Sequence, residues 1–159
     1  MQEIRKRQMK KAAKNGVEVK ESEDFESFIA LENEVLQERH GTKAVHSAQE
    51  LHLLQSRFPE SIKLLAAFYQ EKMIAGTVLF IYDNAVHTQY LAANETAREI
   101  GALDLTISNV IEHFKDSKSW LDFGISTEEG GHYLNEGLIS QKEGFGGRTN
   151  VYQTWKIEI

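Results

Sequence analysis

The most regular pattern of hydrophobic and polar positions lies between residues 73 and 126. Met73–Tyr82 is apolar on both of its alternating faces, which indicates a strand that is buried on two sides and central in its sheet. Asp83 and Asn84 are turn-forming residues, and Ala85–Ala93 is again rich in residues that favour strands. The segment therefore predicts a β-hairpin whose first strand forms the middle of the sheet.

An amphipathic helix is predicted directly after this hairpin. Asn94, Glu95 and Thr96 form a typical N-cap cluster. The apolar positions that follow are spaced three or four apart, at Ile100, Leu103, Ile107, Val110, Ile111 and Phe114. Trp120–Ile125 then predicts another strand. Such a helix start leaves main-chain N–H groups without partners beside the strand ends, and this predicts an anion site.

The remaining segments add helices and strands on each side of this unit. Upstream we predict a basic helix, a short strand, two amphipathic helices and a strand: Gln2–Asn15, Val17–Lys20, Ser22 or Asp24 to about His40, a helix that opens at His46 and Ser47, and Ile62–Tyr69. Ser47 and Glu50 have the spacing of a capping box. Downstream we predict a loop, a short helix, a glycine-rich turn and a last strand: Ser126–Gly131, His132–Gln141, Lys142–Arg148 and Thr149–Ile159. These elements predict an α/β (α+β) fold, with a mixed, mostly antiparallel central sheet and helices on both faces.

The composition favours one globular domain. The chain has 159 residues, of which 41% are hydrophobic, and no window approaches 18 consecutive apolar residues, so we expect no membrane span. The chain contains no cysteine, which excludes disulfides, thiol catalysis and thiolate metal sites and fits a cytoplasmic protein.

The charge is unevenly distributed along the chain. Residues 1–14 hold six basic residues and one acidic residue, whereas the remainder holds 12 basic and 23 acidic residues, which gives the net charge of −6. We therefore divide the chain into a basic N-terminal helix, residues 1–16, and a domain, residues 17–159. The basic helix is either docked on the acidic body or directed toward phosphate groups or RNA.

Several segments, taken in their order, resemble a known family. These are QEKMIAGTVLF, YLAANETAREIGALDLTISNVIEHF, WLDFGIS and LNEGLISQKEGFGG, and together they resemble a GNAT-type N-acyltransferase domain. More narrowly, they resemble one lobe of the FemAB-like group, which joins two such domains. The resemblance covers residues 5–156 and implies the acyl-CoA N-acyltransferase fold, acetyl-CoA as acyl donor, an amine acceptor and no metal. It also implies pairing with a second GNAT-like lobe or with a copy of the same chain.

In this family the helix after the fourth strand holds the pyrophosphate of acetyl-CoA on main-chain N–H groups. The family signature places a Gln or Arg three residues before a Gly. Arg98 and Gly101 match that spacing, whereas Leu103 stands where the signature has a small residue. The resemblance therefore assigns donor binding to Tyr90, Leu91, Thr96, Ala97, Arg98, Gly101 and Ala102.

By the same resemblance, the acyl thioester lies in a gap between the strands Ala85–Ala93 and Trp120–Ile125. A base has to take the proton of the attacking amine there. The tyrosine that acts as an acid in this family falls on Ser140 in this sequence. The candidate catalytic residues are therefore Glu128 in the following loop and Tyr133.

Five polar side chains are candidates for acceptor binding: His46, His87, Asp122, Asn135 and Lys142. His87 and Gln89 are expected on the strand face opposite Tyr90. Asp122 closes a buried strand, where a carboxylate needs either a ligand or a hydrogen-bond partner of the protein. Three histidines, at positions 40, 46 and 52, are six residues apart, a spacing that does not place them on one helical face, so we expect no zinc site.

The simplest function implied by these features is acetyl transfer from acetyl-CoA to an amine. Two alternatives stay open. A Fem-like transferase would instead take an aminoacyl group from a charged tRNA, which the basic N-terminal segment would suit. A lobe without a functional donor site would act as a binding or interaction module.

Overall fold

The computed structural model describes residues 1–157, except for the side chains of residues 39 and 40. The helices are α1 (Glu3–Lys14), α2 (Phe25–His40), α3 (Ala48–Arg57), α4 (Glu95–Ile100), α5 (Ala102–Phe114) and α6 (Glu136–Gly144). The strands are β1 (Glu18–Ser22), β2 (Ile62–Tyr69), β3 (Lys72–Ile81), β4 (Ala85–Ala93), β5 (Trp120–Asp122), β6 (Thr127–Glu128) and β7 (Tyr133–Leu134). No helix in the described range is long and apolar enough to cross a membrane.

The main sheet has the strand order β1-β2-β3-β4-β5. Strands β1 to β4 are antiparallel to their neighbours, whereas β5 runs parallel to β4. The central strand is β3, and its residues Ile74–Leu79 are all buried. This confirms the predicted mixed, mostly antiparallel sheet, because a strand that is apolar on both alternations has to be covered on both faces.

Helices cover both faces of this sheet. On one face α2 and α3 pack the fully buried Phe25, Phe28 and Leu51 against β2 and β3. Burial of a large apolar side chain contributes about 2 kcal/mol, so these three residues hold the α2 face in place. Gly76 of β3 lets the ring of Phe28 approach closely, since a Cβ at this position would lie 3.0 Å from its Cδ2.

On the opposite face, α1 packs against α4 and α5. Arg5 Nη1 donates to Asp104 Oδ1 at 2.9 Å, and Lys11 Nζ donates to the carbonyl of Glu99 at 2.7 Å. Ala12 is completely buried under this contact. The basic helix is therefore docked on the acidic body, which is one of the two arrangements expected from the charge pattern.

The helix predicted after β4 is divided in two by Gly101. This residue has φ +82°, ends α4 and precedes the first residue of α5. Such a left-handed conformation favours glycine, because a Cβ is strained there. The helix pattern on both sides of Gly101 is real, but the prediction of one continuous helix was wrong.

The region after β4 differs most from the sequence-based prediction. β5 ends at Asp122 instead of Ile125, and the predicted helix His132–Gln141 is shifted to Glu136–Gly144 behind the small β6–β7 hairpin. The helix starts later because Asn135 caps it, its side chain accepting from the N–H of Leu138 at 2.9 Å. The helix also takes up the first residues of the predicted glycine-rich turn.

The last predicted strand is also wrong for the described residues. Residues 149–157 have no regular secondary structure, and positions 158 and 159 lie outside the described range. The apolar side chains of the pattern are mostly exposed, at Val151, Tyr152, Trp155 and Ile157. Alternation predicts a strand only where a sheet edge pairs with the segment, and residues 149–157 are not in the sheet.

Candidate active site

The two parallel strands of the sheet separate after three residue pairs. Ala85 pairs with Trp120, Val86 with Leu121 and His87 with Asp122. Thr88 Oγ1 makes the last link, a 3.3 Å hydrogen bond to the carbonyl of Asp122. The predicted gap between β4 and the chain after β5 is therefore present.

A cavity of about 190 Å³ fills this gap on the α5 and α6 side. Its wall is mostly apolar and consists of Thr88, Gln89, Leu91, Ile107, Phe123, Ile125, Leu138, Gln141, Lys142 and Phe145. A larger cavity of about 380 Å³ lies between β1, β2 and the end of α5, away from the gap. Only the smaller cavity opens where backbone groups of β4 have lost their neighbouring strand, so we place the candidate site there.

A β-bulge in β4 decides which side chains share a face of the sheet. Thr88 pairs with Leu79 of β3 and Tyr90 pairs with Val78, so Gln89 is an extra residue between them. The extra residue shifts the alternation by one position. His87 and Tyr90 therefore lie on the same face, covered by α2, and the prediction that they lie on opposite faces was wrong.

His87 forms a polar cluster where β4 and β5 separate. Its Nδ1 lies 2.7 Å from Asp122 Oδ2, while Asp122 Oδ1 accepts from the N–H of Gly124 at 2.8 Å. Partial burial acts to raise the pKa of Asp122, but the hydrogen bonds from Gly124 and His87 outweigh it and lower the pKa. An ionised Asp122 fixes the imidazole with Nδ1–H toward the carboxylate, which leaves Nε2 as a proton acceptor.

Lys142 of α6 connects this cluster to the cavity. Its Nζ donates to the carbonyls of Gly124 at 3.0 Å and of Ile125 at 2.5 Å. Burial lowers the pKa of Lys142, an effect that the charge of Asp122 opposes. Lys142 thus links α6 to the chain after β5 at the wall of the cavity.

A second polar cluster lies further along the same face. The hydroxyl of Tyr90 is hydrogen-bonded to Nδ1 of His46, and the two rings meet edge to face with centroids 5.7 Å apart. Burial raises the pKa of Tyr90, and the charges of Glu32 and Glu50 add to the increase while a hydrogen bond with Gln89 opposes it. His46 therefore reaches the strand that carries His87.

Sequence reasoning missed Glu32. Only 7% of this residue is exposed, and burial raises its pKa to about 7. The signal was present in the sequence, because Glu32 lies four residues after Phe28 and seven after Phe25, on the apolar stripe of α2. A carboxyl group at such a position is unusual and indicates a role beyond packing.

The predicted anion site at the start of α4 and α5 is partly occupied by the protein itself. The N–H of Ala97 donates to Asn94 Oδ1 at 3.0 Å, and Arg98 Nη1 donates to the carbonyl of Ala93 at 2.7 Å. Gly101 and Ala102 are buried, whereas Thr96 is exposed.

The N-terminal segment covers this end of the site. A Cβ on Gly101 would lie 2.5 Å from the carbonyl oxygen of Gln8. Arg5, paired with Asp104 of α5, also lies 5.4 Å from the ring centroid of Phe145, a residue of the cavity wall. Residues 1–8 thus bridge the start of α5 and the end of α6, and lie over Gly101, one of the residues to which donor binding was assigned.

The two predicted catalytic residues lie together on the β6–β7 hairpin. Glu128 and Tyr133 are cross-strand neighbours, and Glu128 Oε1 accepts from Asn135 Nδ2 at 2.6 Å. Asn135 itself caps α6, and Tyr133 is 55% exposed. Neither Glu128 nor Tyr133 is among the residues that line the cavity, and of the five candidates for acceptor binding only Lys142 is. Among the described side chains, no group of three or more His, Asp or Glu residues is arranged as metal ligands.

The thioester end of an acyl-CoA fits this arrangement better than its phosphate end does. A narrow, apolar cavity beside an unpaired strand edge suits an extended thioester arm. The groups that hold the phosphates in the usual signature are partly engaged or lie under α1.

Known structures share this fold. The chain is similar to a Trypanosoma brucei acetyltransferase, with a TM-score of 0.64 and 15% identity over 90% of this chain and 99% of that chain. A ribosomal-protein-alanine N-acetyltransferase from Brucella melitensis gives a TM-score of 0.61 and 14% identity over 90% and 99%. FemX gives a TM-score of 0.71 and 11% identity over 91% of this chain, which spans 54% of FemX. At these identities the likeness shows the fold.

A comparison by sequence with curated proteins gives no match. The model of one domain family, described as an acetyltransferase (GNAT) domain, matches residues 2–133, which is most of the chain. The match includes α1, the whole main sheet and the separated strands β4 and β5. The chain therefore belongs to the GNAT acetyltransferase domain family.

Proposed function

We propose that this chain is an N-acyltransferase that moves an acetyl group from acetyl-CoA to an amine. The observation that carries the proposal is the separation of β4 from β5 after His87, which opens the apolar cavity beside an unpaired strand edge. A thioester carbonyl placed at this edge would accept hydrogen bonds from main-chain N–H groups of β4 near the bulge at Gln89. Such donors stabilise the negative charge that develops on the carbonyl oxygen.

His87 is the base in this proposal. The acceptor nitrogen attacks the thioester carbonyl, a C–N bond forms and the C–S bond breaks. His87 Nε2 takes the proton that the nitrogen loses, while Asp122 holds the opposite side of the ring at 2.7 Å. The thiolate leaves and takes a proton from solvent, so that the amide and a free thiol are formed.

A second candidate function follows from the covered phosphate end. A Fem-like transferase would receive an aminoacyl group from a charged tRNA, and the C–O bond of its ester would break instead of a C–S bond. The basic α1 lies beside the cavity, as an RNA-binding helix would, and FemX shares the fold. In this alternative the chain would pair with a second GNAT-like lobe or with another copy of itself.

Binding of the donor is the first test of the proposed function. Acetyl-CoA is expected to raise the melting temperature of the protein. When amines are incubated with the protein and acetyl-CoA, mass spectrometry is expected to show that an acceptor amine has gained one acetyl group. Leu138→Trp should fill the cavity and abolish both effects, whereas Leu53→Trp, at an exposed position of α3, should not. If acetyl-CoA leaves the melting temperature unchanged but the protein binds tRNA with a strong salt dependence, the result would support the Fem-like alternative instead.

The cover formed by α1 makes a separate prediction. Arg5→Ala removes the side chain that links Asp104 of α5 to Phe145 at the end of α6. Loss of an ion pair worth about 1 kcal/mol should raise the fraction of molecules in which residues 1–8 have moved off α5 by about fivefold. The association rate of acetyl-CoA should increase by the same factor. Lys6→Ala is the matched control, since Lys6 is exposed and pairs with Glu3 of the same helix. Stopped-flow measurement of both variants checks this, and equal association rates would show that residues 1–8 do not limit access.

A further inference from the structure

A buried carboxyl group of α2 is not used by the mechanism above. Glu32 is 93% buried in an apolar environment, and its Oε2 has no hydrogen-bond partner among the described residues. Burial of a carboxyl group without a partner costs free energy, which a leucine at this position would avoid. Packing alone therefore gives no reason for a glutamate here.

This carboxyl group lies near two polar side chains on the α2 face of β4, because Tyr90 packs against the buried residues of α2 and the charge of Glu32 acts on it. Tyr90 follows the bulge residue Gln89 directly and lies on the same face as His87. Its hydroxyl is bonded to His46, which precedes the cap of α3. His46 is only partly buried, so its other ring nitrogen can exchange protons with solvent.

The charged and titratable groups around Tyr90 come from three elements. They are Glu32 from α2, His46 and Glu50 from the start of α3, and His87 from β4 itself. The charged groups that shift the pKa of Tyr90 are Glu32 and Glu50, both of which are acidic, and no cation is among the described groups that do so. The negative charges of Glu32 and Glu50 near the Tyr90 hydroxyl favour the approach of a protonated amine.

An amine acceptor has to lose two protons before it becomes an amide. An alkyl ammonium group has a pKa of about 10, so it arrives protonated at neutral pH and cannot attack until the first proton is removed. The second proton is lost when the C–N bond forms. His87 accounts for one of these protons, and the other passes either to solvent or to a second protein group on the same face.

We propose that Tyr90 and His46, with Glu32 behind them, form a second proton path that converts the acceptor's ammonium group to the free amine. Tyr90 Oη takes the ammonium proton while its own hydroxyl proton passes to His46 Nδ1, and His46 releases the proton of its other nitrogen to solvent. Tyr90 is the catalytic residue of this path, while His46 and Glu32 are positioning residues. The proposal rests on the proposed N-acyltransferase function.

Glu32 acts through its charge. When it is ionised, its negative charge raises the proton affinity of the Tyr90 oxygen, and when it is protonated this assistance is lost. Since its pKa is about 7, the assistance is absent well below neutral pH and complete above it. The specificity constant kcat/KM for the acceptor should therefore rise as the pH increases through 7, because Glu32 becomes ionised in this range.

The decisive experiment is the pH profile of kcat/KM for the acceptor. Glu32→Gln is expected to remove the ionisation near neutral pH and to lower kcat/KM by about tenfold on the alkaline side, and Tyr90→Phe should do the same. Glu32→Asp should restore part of the profile, while Glu34→Gln, an exposed position on the same helix, should match the wild type. Active Glu32→Gln protein with an unchanged profile would overturn the proposal.

A second measurement does not depend on turnover. NMR titration of the tyrosine rings should give a lower pKa for Tyr90 in Glu32→Gln than in the wild type, with Tyr69 and Tyr82 as internal references. An unchanged Tyr90 titration would show that Glu32 does not act on it and would overturn the proposal. Absence of acyl transfer by the wild type with every amine would count against the proposed function, whereas transfer with an unchanged Glu32→Gln profile counts only against the proton path.

Discussion

Replacing His87 by alanine is expected to lower kcat for acyl transfer by about 100-fold or more, because it removes the base that takes the proton of the attacking nitrogen. Asp122→Asn should have a smaller effect in the same direction, since the imidazole would remain but would lose the carboxylate that orients it. Single-turnover kinetics with saturating acetyl-CoA measures this step without interference from product release.

The control for this prediction is His113→Ala. His113 is exposed near the end of α5 and lines the larger cavity instead of the gap between β4 and β5. Its removal is expected to leave kcat unchanged. Equal rates for wild type and His87→Ala, with both proteins folded, would remove His87 from the mechanism and leave Tyr90 as the remaining base on that face.

The largest effect on stability is expected for Gly101→Ala. The new Cβ would lie 2.5 Å from the main-chain oxygen of Gln8, in a residue with φ +82°. The left-handed conformation costs about 1 kcal/mol and the steric overlap with a helix backbone about 2 kcal/mol more, so we expect a loss of roughly 3 kcal/mol. For a chain of this size, that loss corresponds to a decrease of roughly 10 °C in the melting temperature.

Gly41→Ala separates the two contributions. Gly41 also has a positive φ, of +62°, but a Cβ there would have no atom of the described residues within 4 Å. We therefore expect a loss of about 1 kcal/mol, from the backbone conformation alone. If both variants melt at the same temperature in calorimetry, α1 does not pack against Gly101 as tightly as the geometry indicates.

Local patterns predicted most of the fold. The boundaries of β2 and β4 were predicted to the residue, and the capping box of Ser47 and Glu50 is present with both of its hydrogen bonds. These features depend on neighbours within four residues along the chain, so the residue types alone determine them. The resemblance to GNAT domains added the gap between β4 and β5.

The candidate site was predicted less well, for reasons that involve distant parts of the chain. One extra residue at Gln89 reverses the alternation of β4 and brings His87 and Tyr90 to one face. The charge of Glu32 acts on Tyr90 only because α2 packs against the face of β4 that carries Tyr90. Neither the bulge nor the helix crossing leaves a signal in the local residue pattern.

The sequence by itself determined the order of elements as far as β5, the central position of β3 and the membership of a family of acyltransferases. Only the tertiary structure decided which main-chain donors are free, because the N–H of Ala97 is used by Asn94 and Gly101 lies under Gln8. It also decided that residues 149–157 form no strand, although they alternate like one. The physical reason is the same in each case: periodicity records what a segment can bury, whereas partners and covers come from residues far away along the chain.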